Sequence, residues 1–318
     1  MSLADRFKKY KPLHWFYNLL HYQSLSHNKA AYRKYGLHKP VIGSLSSKDF
    51  PDKTSSAWLD KGHSRDLTPA KEGFSDFPPT VQQQLLSWSD KGYMILENFF
   101  TEAVTDKILA ETATLVKKGK LSPTFDNKLL FANRQSAFIR KLTYEKRLTD
   151  LLSFLLDRDV IPFQTINFEY GSNQRAHSDS IHMTTYPLGY LIAVWIALED
   201  TRPDNGPLFY YPGSHRLPYL LNGDFNEGET ALQLGKKDYP DYEDKIEELI
   251  REQQLKKEIF LAKKGDILIW HANLIHGGMP VENSSLTRKS MVIHYFARDV
   301  IKYHEITERP SLLPHQGQ

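Results

Sequence analysis

The sequence predicts an α+β protein with a mainly β core: a double-stranded β-helix (jelly roll) braced by helices and preceded by an N-terminal extension. Three observations predict it. Helical periodicity is confined to the first half of the chain and one later stretch. From "VIPFQTINFEYG" onward the chain breaks into short apolar, aromatic and β-branched runs. These are "YLIAVWIALED", "PLFYYPG", "EIFLAKKGDILIWH" and "SMVIHYFA", separated by Gly, Pro, Asn and Asp, the texture of an antiparallel sandwich or barrel. Finally, 318 residues with 40% hydrophobic content can bury a core without covalent staples, and there is no cysteine to make one.

The elements follow in order. Residues 1–75 read as a basic, aromatic arm and connector. The first forty residues carry eight Lys/Arg against one acid, Asp5, interleaved with eight aromatic residues from Phe7 to Tyr35. Three readings are open for this arm, in this order: packing on the main domain with solvated charges, contact with an anionic membrane surface, and, last, contact with nucleic acid; the whole-chain net charge of +3 says little about partners. Residues 41–80 are rich in Ser, Asp, Lys, Pro and Gly, an irregular connector.

The main domain is expected over residues 76–300. Val81, Leu85, Leu86 and Trp88 predict a short amphipathic helix that Gly92 ends, before the strand "YMILENFF". Thr101 is expected to cap a second helix carrying Val104, Ile108, Leu109, Ala113 and Val116, closed by Gly119. "YEKRLTDLLSFLLDRD" is a third. Residues 241–258 form a charged amphipathic helix inserted between strands, either a lid or a surface helix. Residues 301–318 read as a tail. No apolar run is long enough to cross a bilayer and the N-terminus lacks a signal-peptide core, so the default expectation is cytoplasmic. Nothing in the sequence sets an oligomeric state.

Without cysteine, any metal must be held by His, Asp or Glu. "NQRAHSDSIHM" places His177 and Asp179 two residues apart, on one face if the segment is extended, at the mouth of an apolar run. His276 follows another apolar strand in "GDILIWHANLIHGGMP". Two imidazoles and one carboxylate on neighbouring strands can take one face of an octahedral iron, leaving three positions for a bidentate co-substrate and dioxygen. Alone, His177 and Asp179 could equally be a turn in which the carboxylate accepts backbone N–H bonds. Arg288 and Ser290, alternate residues opening "SMVIHYFA", suit a carboxylate held bidentately beside a hydroxyl.

The stretches "HSDSIHMTTYPLGYLIAVWIALEDTRPDNGPLFYYPGSHRLP" and "KKGDILIWHANLIHGGMPVENSSLTRKSMVIHYF" strongly resemble the phytanoyl-CoA dioxygenase family. The resemblance runs from about "SDKGYMILENFF" to Phe296, two thirds of the chain. It implies a cupin-like jelly roll and an oxygenase using Fe(II), 2-oxoglutarate and O2. His177, Asp179 and His276 match the family's iron ligands. Arg288 matches the arginine that pairs with the 2-oxoglutarate carboxylate, and Trp195 matches a tryptophan lining that pocket. Ser178 stands where the family often has Gln. Gly278 stands where it often has Ser, a loss that Ser290 could make good. The family's further polar contact has no clear match; Asn167, Gln164 and Arg140 are the candidates, Asn167 first. His182 and Tyr186 are candidate substrate contacts. His215 and His271 are expected to be structural, and His294 to pack in the core. Asp179 favours hydroxylation, because related halogenases lack that carboxylate.

The function expected is hydroxylation of a C–H bond of a small-molecule, lipid-linked or glycan-linked substrate. Two other classes stay open: a cupin-type barrel holding zinc, as an isomerase or hydrolase that needs no arginine clamp, and a catalytically silent binding protein.

Overall fold

The computed structural model describes residues 9–124 and 128–313. Asp5, Arg6, Phe7 and Lys8 of the basic arm lie outside them. Twelve strands are present among the described residues: β1 Tyr93–Leu96, β2 Leu129–Leu130, β3 Val160–Phe168, β4 Thr184–Tyr186, β5 Leu191–Ala197, β6 Leu208–Tyr210, β7 Glu258–Phe260, β8 Ile267–His271, β9 His276–Gly278, β10 Ser290–Ala297, β11 Ile301–His304 and β12 Arg309–Pro310. The longer helices are α1 Lys11–Leu20, α2 Asn28–Lys34, α3 Pro79–Leu86, α4 Glu102–Lys117, α5 Lys146–Leu156 and α6 Tyr239–Glu252.

A six-stranded sheet in the order β1-β8-β5-β10-β3-β2 faces a three-stranded sheet, β7-β6-β9. All pairings are antiparallel. Between them lies one apolar cluster: Trp195, Leu268, Trp270 and Val292 from the large sheet meet Leu208, Tyr210 and Phe260 from the small one. This is the jelly roll. The outer face of the large sheet is covered too, since Val194, Ile196, Ile269, Met291 and Ile293 pack with the helical layer that includes Ile108, Leu148 and Leu152. Burial on both faces is why these strands read as continuous apolar runs rather than alternating ones.

The helix ends follow local chemistry. Gly92 stops the segment after α3 in the left-handed region at φ 75°. Glu145 caps α5 by accepting from the Leu148 N–H. Thr101 takes the extended N-cap conformation before α4, but its hydroxyl makes no cap bond. The helix expected over 241–258 spans Tyr239–Glu252, and residues after it turn back into β7.

The arm packs against the body. Leu25, Ala31, Tyr32, Val41, Leu45 and Phe50 form a core with Ile301 and Tyr303 of β11. Residues read from the sequence as the start of a tail form β11, which pairs with β4 and β12. Buried Glu305 ties the two ends of the chain together, accepting from the Ser47 N–H and hydroxyl and from the Asn222 N–H. No described helix is long and apolar enough to cross a membrane.

Candidate active site and metal centre

His177 and His276 sit directly opposite one another at the mouth of the barrel. Their backbones form an isolated antiparallel bridge and exchange both N–H···O bonds, each 2.9 Å. Ser178 remains extended, whereas Asp179 starts a 3₁₀ turn, Asp179–Ile181. The turn swings the carboxylate back over both imidazoles, so the simple alternation expected for an extended H-x-D segment is not what aligns the three groups.

The ring nitrogens have defined roles. His177 Nδ1 lies 2.9 Å from the Arg175 carbonyl and His276 Nδ1 3.0 Å from the Leu274 carbonyl. A carbonyl only accepts, so each Nδ1 donates and Nε2 is the ring nitrogen left for a ligand. The Nε2 atoms lie 3.9 and 3.8 Å from Asp179 Oδ1. One ligand atom from each of the three residues falls within 4.8 Å of the others. Asp179 Oδ2 is engaged separately: Trp270 Nε1 donates to it at 2.8 Å and His294 Nε2 lies 3.4 Å away. Burial raises the Asp179 carboxyl, but His276, His294 and His177 outweigh it and hold the group well below the usual carboxylate range. Burial, with His276 next, keeps the His177 imidazole well below its usual value and therefore neutral. Deprotonated carboxylate and neutral imidazoles are the states a metal needs, and the donor set fits Fe(II).

Further along the same interior face, Arg288 is wholly buried. Its Nη1 donates to Ser290 Oγ at 2.6 Å and its Nε to the Gly206 carbonyl at 3.2 Å. Gly206 is required there: its φ is +77° and a Cβ would lie 2.8 Å from Val281 Cγ2. Among the described residues no carboxylate reaches ion-pair distance of Arg288. Burial pushes the guanidinium down to about 10, with distant Glu199 opposing. The guanidinium carbon lies 5.6 Å from the Trp195 ring. Buried Trp195 Nε1 finds no acceptor among the described residues. An unpaired buried cation beside an orphaned N–H donor is a costly arrangement that an anion would relieve.

The other expected residues are distributed differently. Asn167 faces the helical layer, where its amide donates to Thr112 Oγ1 of α4 at 3.3 Å. Register explains this: Asn167 pairs with Met291, whose side chain is in the outer cluster. Gln164, the even-numbered candidate, is on the inner face and reaches His294 Nδ1 at 3.4 Å. Arg140 is exposed on a short helix and bonds to local carbonyls. Tyr186 stacks on Phe50 of the arm at 4.1 Å, on β4, which pairs with β11 in a separate sheet. His182 is at the site: its ring is 4.5 Å from Tyr239 and 6.4 Å from His177. His294, read as core packing, touches Asp179 instead. His271 is on the opposite face of β8, 2.9 Å from Asp60.

Sequence reasoning missed Trp270, Gln174, Tyr239 and Lys128. The Gln174 amide bonds to His177 Nε2 at 3.1 Å and to the Tyr239 hydroxyl at 3.2 Å, and its oxygen accepts from Lys128 at 3.1 Å. Only the parity of Trp270 along its strand could have signalled any of these. Ser172 Oγ fills the space that a side chain at Gly278 would take.

A model of the phytanoyl-CoA dioxygenase family matches residues 88–290. The chain belongs to this family. The match includes all three triad residues and Arg288, ends at the first residue of β10 and leaves the arm outside. Among dioxygenases, the ectoine dioxygenase of Sphingopyxis alaskensis is 27% identical over 218 residues, 63% of this chain and 70% of its own. A probable α-ketoglutarate-dependent hypophosphite dioxygenase of Stutzerimonas stutzeri is 23% identical over 239 residues, 68% of this chain and 79% of its own. The crystal structure of EctD from S. alaskensis with 2-oxoglutarate and 5-hydroxyectoine superposes with a TM-score of 0.56 at 21% identity, covering 80% of this chain and 86% of that one. The α-ketoglutarate-dependent epimerase SnoN of nogalamycin biosynthesis gives 0.57 at 19% identity, covering 76% and 92%. These likenesses show the shared fold, and the phytanoyl-CoA dioxygenase family membership makes this protein a dioxygenase.

Proposed function

We propose that the protein hydroxylates a C–H bond of a small molecule, consuming 2-oxoglutarate and O2 and releasing succinate and CO2. The cofactors are Fe(II) and 2-oxoglutarate, with dioxygen as oxidant. His177 Nε2, His276 Nε2 and Asp179 Oδ1 hold the iron. When bound, the metal supplies dioxygen activation coupled to oxidative decarboxylation of the co-substrate. The chain's own work is positional. Trp270 and His294 hold Asp179 Oδ2, leaving Oδ1 for the metal. The Arg288 guanidinium and the Ser290 hydroxyl take the distal carboxylate of 2-oxoglutarate, and Trp195 Nε1 adds a neutral donor. His182, Tyr239 and Gln174 line the substrate side and keep bulk water from the metal. Intact Asp179 favours hydroxylation over halogen transfer.

The observation that carries this reading is Arg288, buried with no acid partner among the described residues beside an orphaned indole N–H. A zinc isomerase or hydrolase on the same barrel has no use for such an anion clamp. Anaerobic addition of Fe(II) and 2-oxoglutarate should give a weak visible charge-transfer band, absent in His177→Ala. Arg288→Gln should raise the 2-oxoglutarate concentration needed by about 100-fold, the loss of a paired, charge-assisted contact. No band with the wild type, and no succinate released across a panel of amino-acid, acyl-thioester and lipid substrates, would refute the reading.

A further inference from the structure

Helix α1 is amphipathic, but it lies against the protein with its polar side inward. Lys11 and Asn18 are its buried residues. Lys11 Nζ is 2.7 Å from both Glu229 and Glu308. The Asn18 amide donates to the Ile42 carbonyl at 2.9 Å, and Trp15 Nε1 to Ser44 Oγ at 3.0 Å. The start of the helix is further held by Lys11 N–H to the Leu232 carbonyl, 2.9 Å, and by Lys9 to Asp238, 2.9 Å. These polar anchors set the rotation of the helix about its axis.

The opposite side is apolar and faces solvent. Leu13, Phe16, Tyr17 and Leu20, spaced i, i+3, i+4 and i+7, are 45, 63, 41 and 68% exposed. Leu19 and Tyr22 extend the patch, and Leu232 lies beside its N-terminal end. A helix docked only for stability would turn this stripe onto the protein, since burial of each large apolar side chain is favourable. Residues 9–40 hold six Lys/Arg and no Asp or Glu; Lys9, Lys11 and Lys39 pair with acids from elsewhere in the chain, whereas Lys29, Arg33 and Lys34 have no acid partner among the described residues. Lys29, Arg33 and Lys34 follow on α2, with Lys29 Nζ 4.8 Å from the Tyr22 ring.

We infer that α1 is an interfacial helix that docks the enzyme on an anionic lipid bilayer. Leu13, Phe16, Tyr17 and Leu20 would enter the boundary between headgroups and acyl chains, with Lys29, Arg33 and Lys34 against lipid phosphates and carboxylates. The inward polar contacts present the stripe ready-made. The charge pattern decides for anionic lipid over a second copy of the chain, because two such patches face to face would bring like charges together.

The test uses the full chain and extruded vesicles of phosphatidylcholine, with and without phosphatidylserine. The wild type should co-sediment with the phosphatidylserine vesicles, and added salt should weaken this. Phe16→Ser with Leu20→Ser should lower the partition coefficient at least about 10-fold without moving the melting midpoint, as neither side chain packs inward. Arg33→Glu with Lys34→Glu should also weaken binding and remove the salt dependence. No co-sedimentation, or equal binding by the Phe16/Leu20 variant, overturns the inference. So does a wild-type dimer in sedimentation equilibrium that the same variant dissociates, which would assign the stripe to a second copy.

Discussion

At the scale of single residues, the triad was legible from an ordered set rather than from any one residue: H-x-D, a later His-Gly and then Arg-x-Ser, all on β-type segments, where His177 and Asp179 alone read as well as a turn. The contacts that orient the triad were not legible. Trp270 looks like any core tryptophan, yet its indole N–H occupies Asp179 Oδ2. Trp270→Phe keeps the packing and removes that donor, and Fe(II) affinity is expected to fall about 10-fold or more, as for other partners of metal-bound carboxylates. Competition with a coloured chelator measures it; unchanged affinity would show that His294 alone suffices. Asn167 was misplaced for a physical reason. Both faces of β3 are covered, so Gln164, Thr165, Ile166 and Asn167 give no polar alternation from which to choose the inner face. Protonation adds a further expectation. Burial, with Lys302 next, holds His27 down at about 4, below its ordinary 6.5. A depressed folded value means the unfolded chain binds the extra proton. This contribution is therefore complete above pH 6.5 and is lost as pH falls toward 4. Buried His215, held at about 3, acts in the same sense, while Glu308, raised to about 7 by burial, acts oppositely. His27→Asn should flatten the acid limb of urea stability by up to about 1.4 kcal/mol per pH unit. Identical slopes would contradict it.

At the scale of elements, α6 was readable as a helix from its period, but its role was not. Its buried side carries Tyr242, whose hydroxyl accepts from the Ser178 N–H at 3.1 Å and meets Ser178 Oγ at 3.0 Å, between the two ligand residues His177 and Asp179. Its exposed side pairs Asp244 and Glu247 with Arg175. The helix is thus a buttress under the H-x-D segment rather than only a cover. The two sides predict different costs. Arg175→Ala should change stability by less than about 1 kcal/mol, as exposed ion pairs do. Tyr242→Phe strands the buried Ser178 N–H, while the Ser178 hydroxyl keeps its bond to Ser180 Oγ, and should cost about 1–3 kcal/mol. Denaturant melts of both variants decide this, and a larger loss from Arg175→Ala would reverse the assignment. Strand positions were legible because apolar runs of this length between Gly and Pro have few alternatives. Strand β11 was not, since "IKYH" is too short and mixed to announce itself.

At the scale of the whole molecule, the arm is structural over much of its length whatever else it contacts. Removing residues 1–50 would expose Ile301, Tyr303 and Tyr186 and leave buried Glu305 without its Ser47 donors. The shortened chain should lose its cooperative melt or aggregate, and a truncated protein melting like the wild type would show the arm to be dispensable. The family pattern could not reveal this, because the arm precedes the matched residues.

The bridge between His177 and His276 reaches beyond catalysis. Two segments about a hundred residues apart meet there, His177 and His276 exchanging a pair of backbone bonds that the Gly278 N–H to the Gln174 carbonyl and the Ser180 N–H to the Ala272 carbonyl flank. An ion taken by both side chains and by Asp179 acts as a reversible cross-link across that long loop. Iron loading then becomes a thermodynamic brace on the open end of the barrel, growing with the logarithm of free metal. Amide exchange around His177 and His276 should slow on loading while the far end of the sheet is unaffected, so that the ion governs which end of the enzyme breathes.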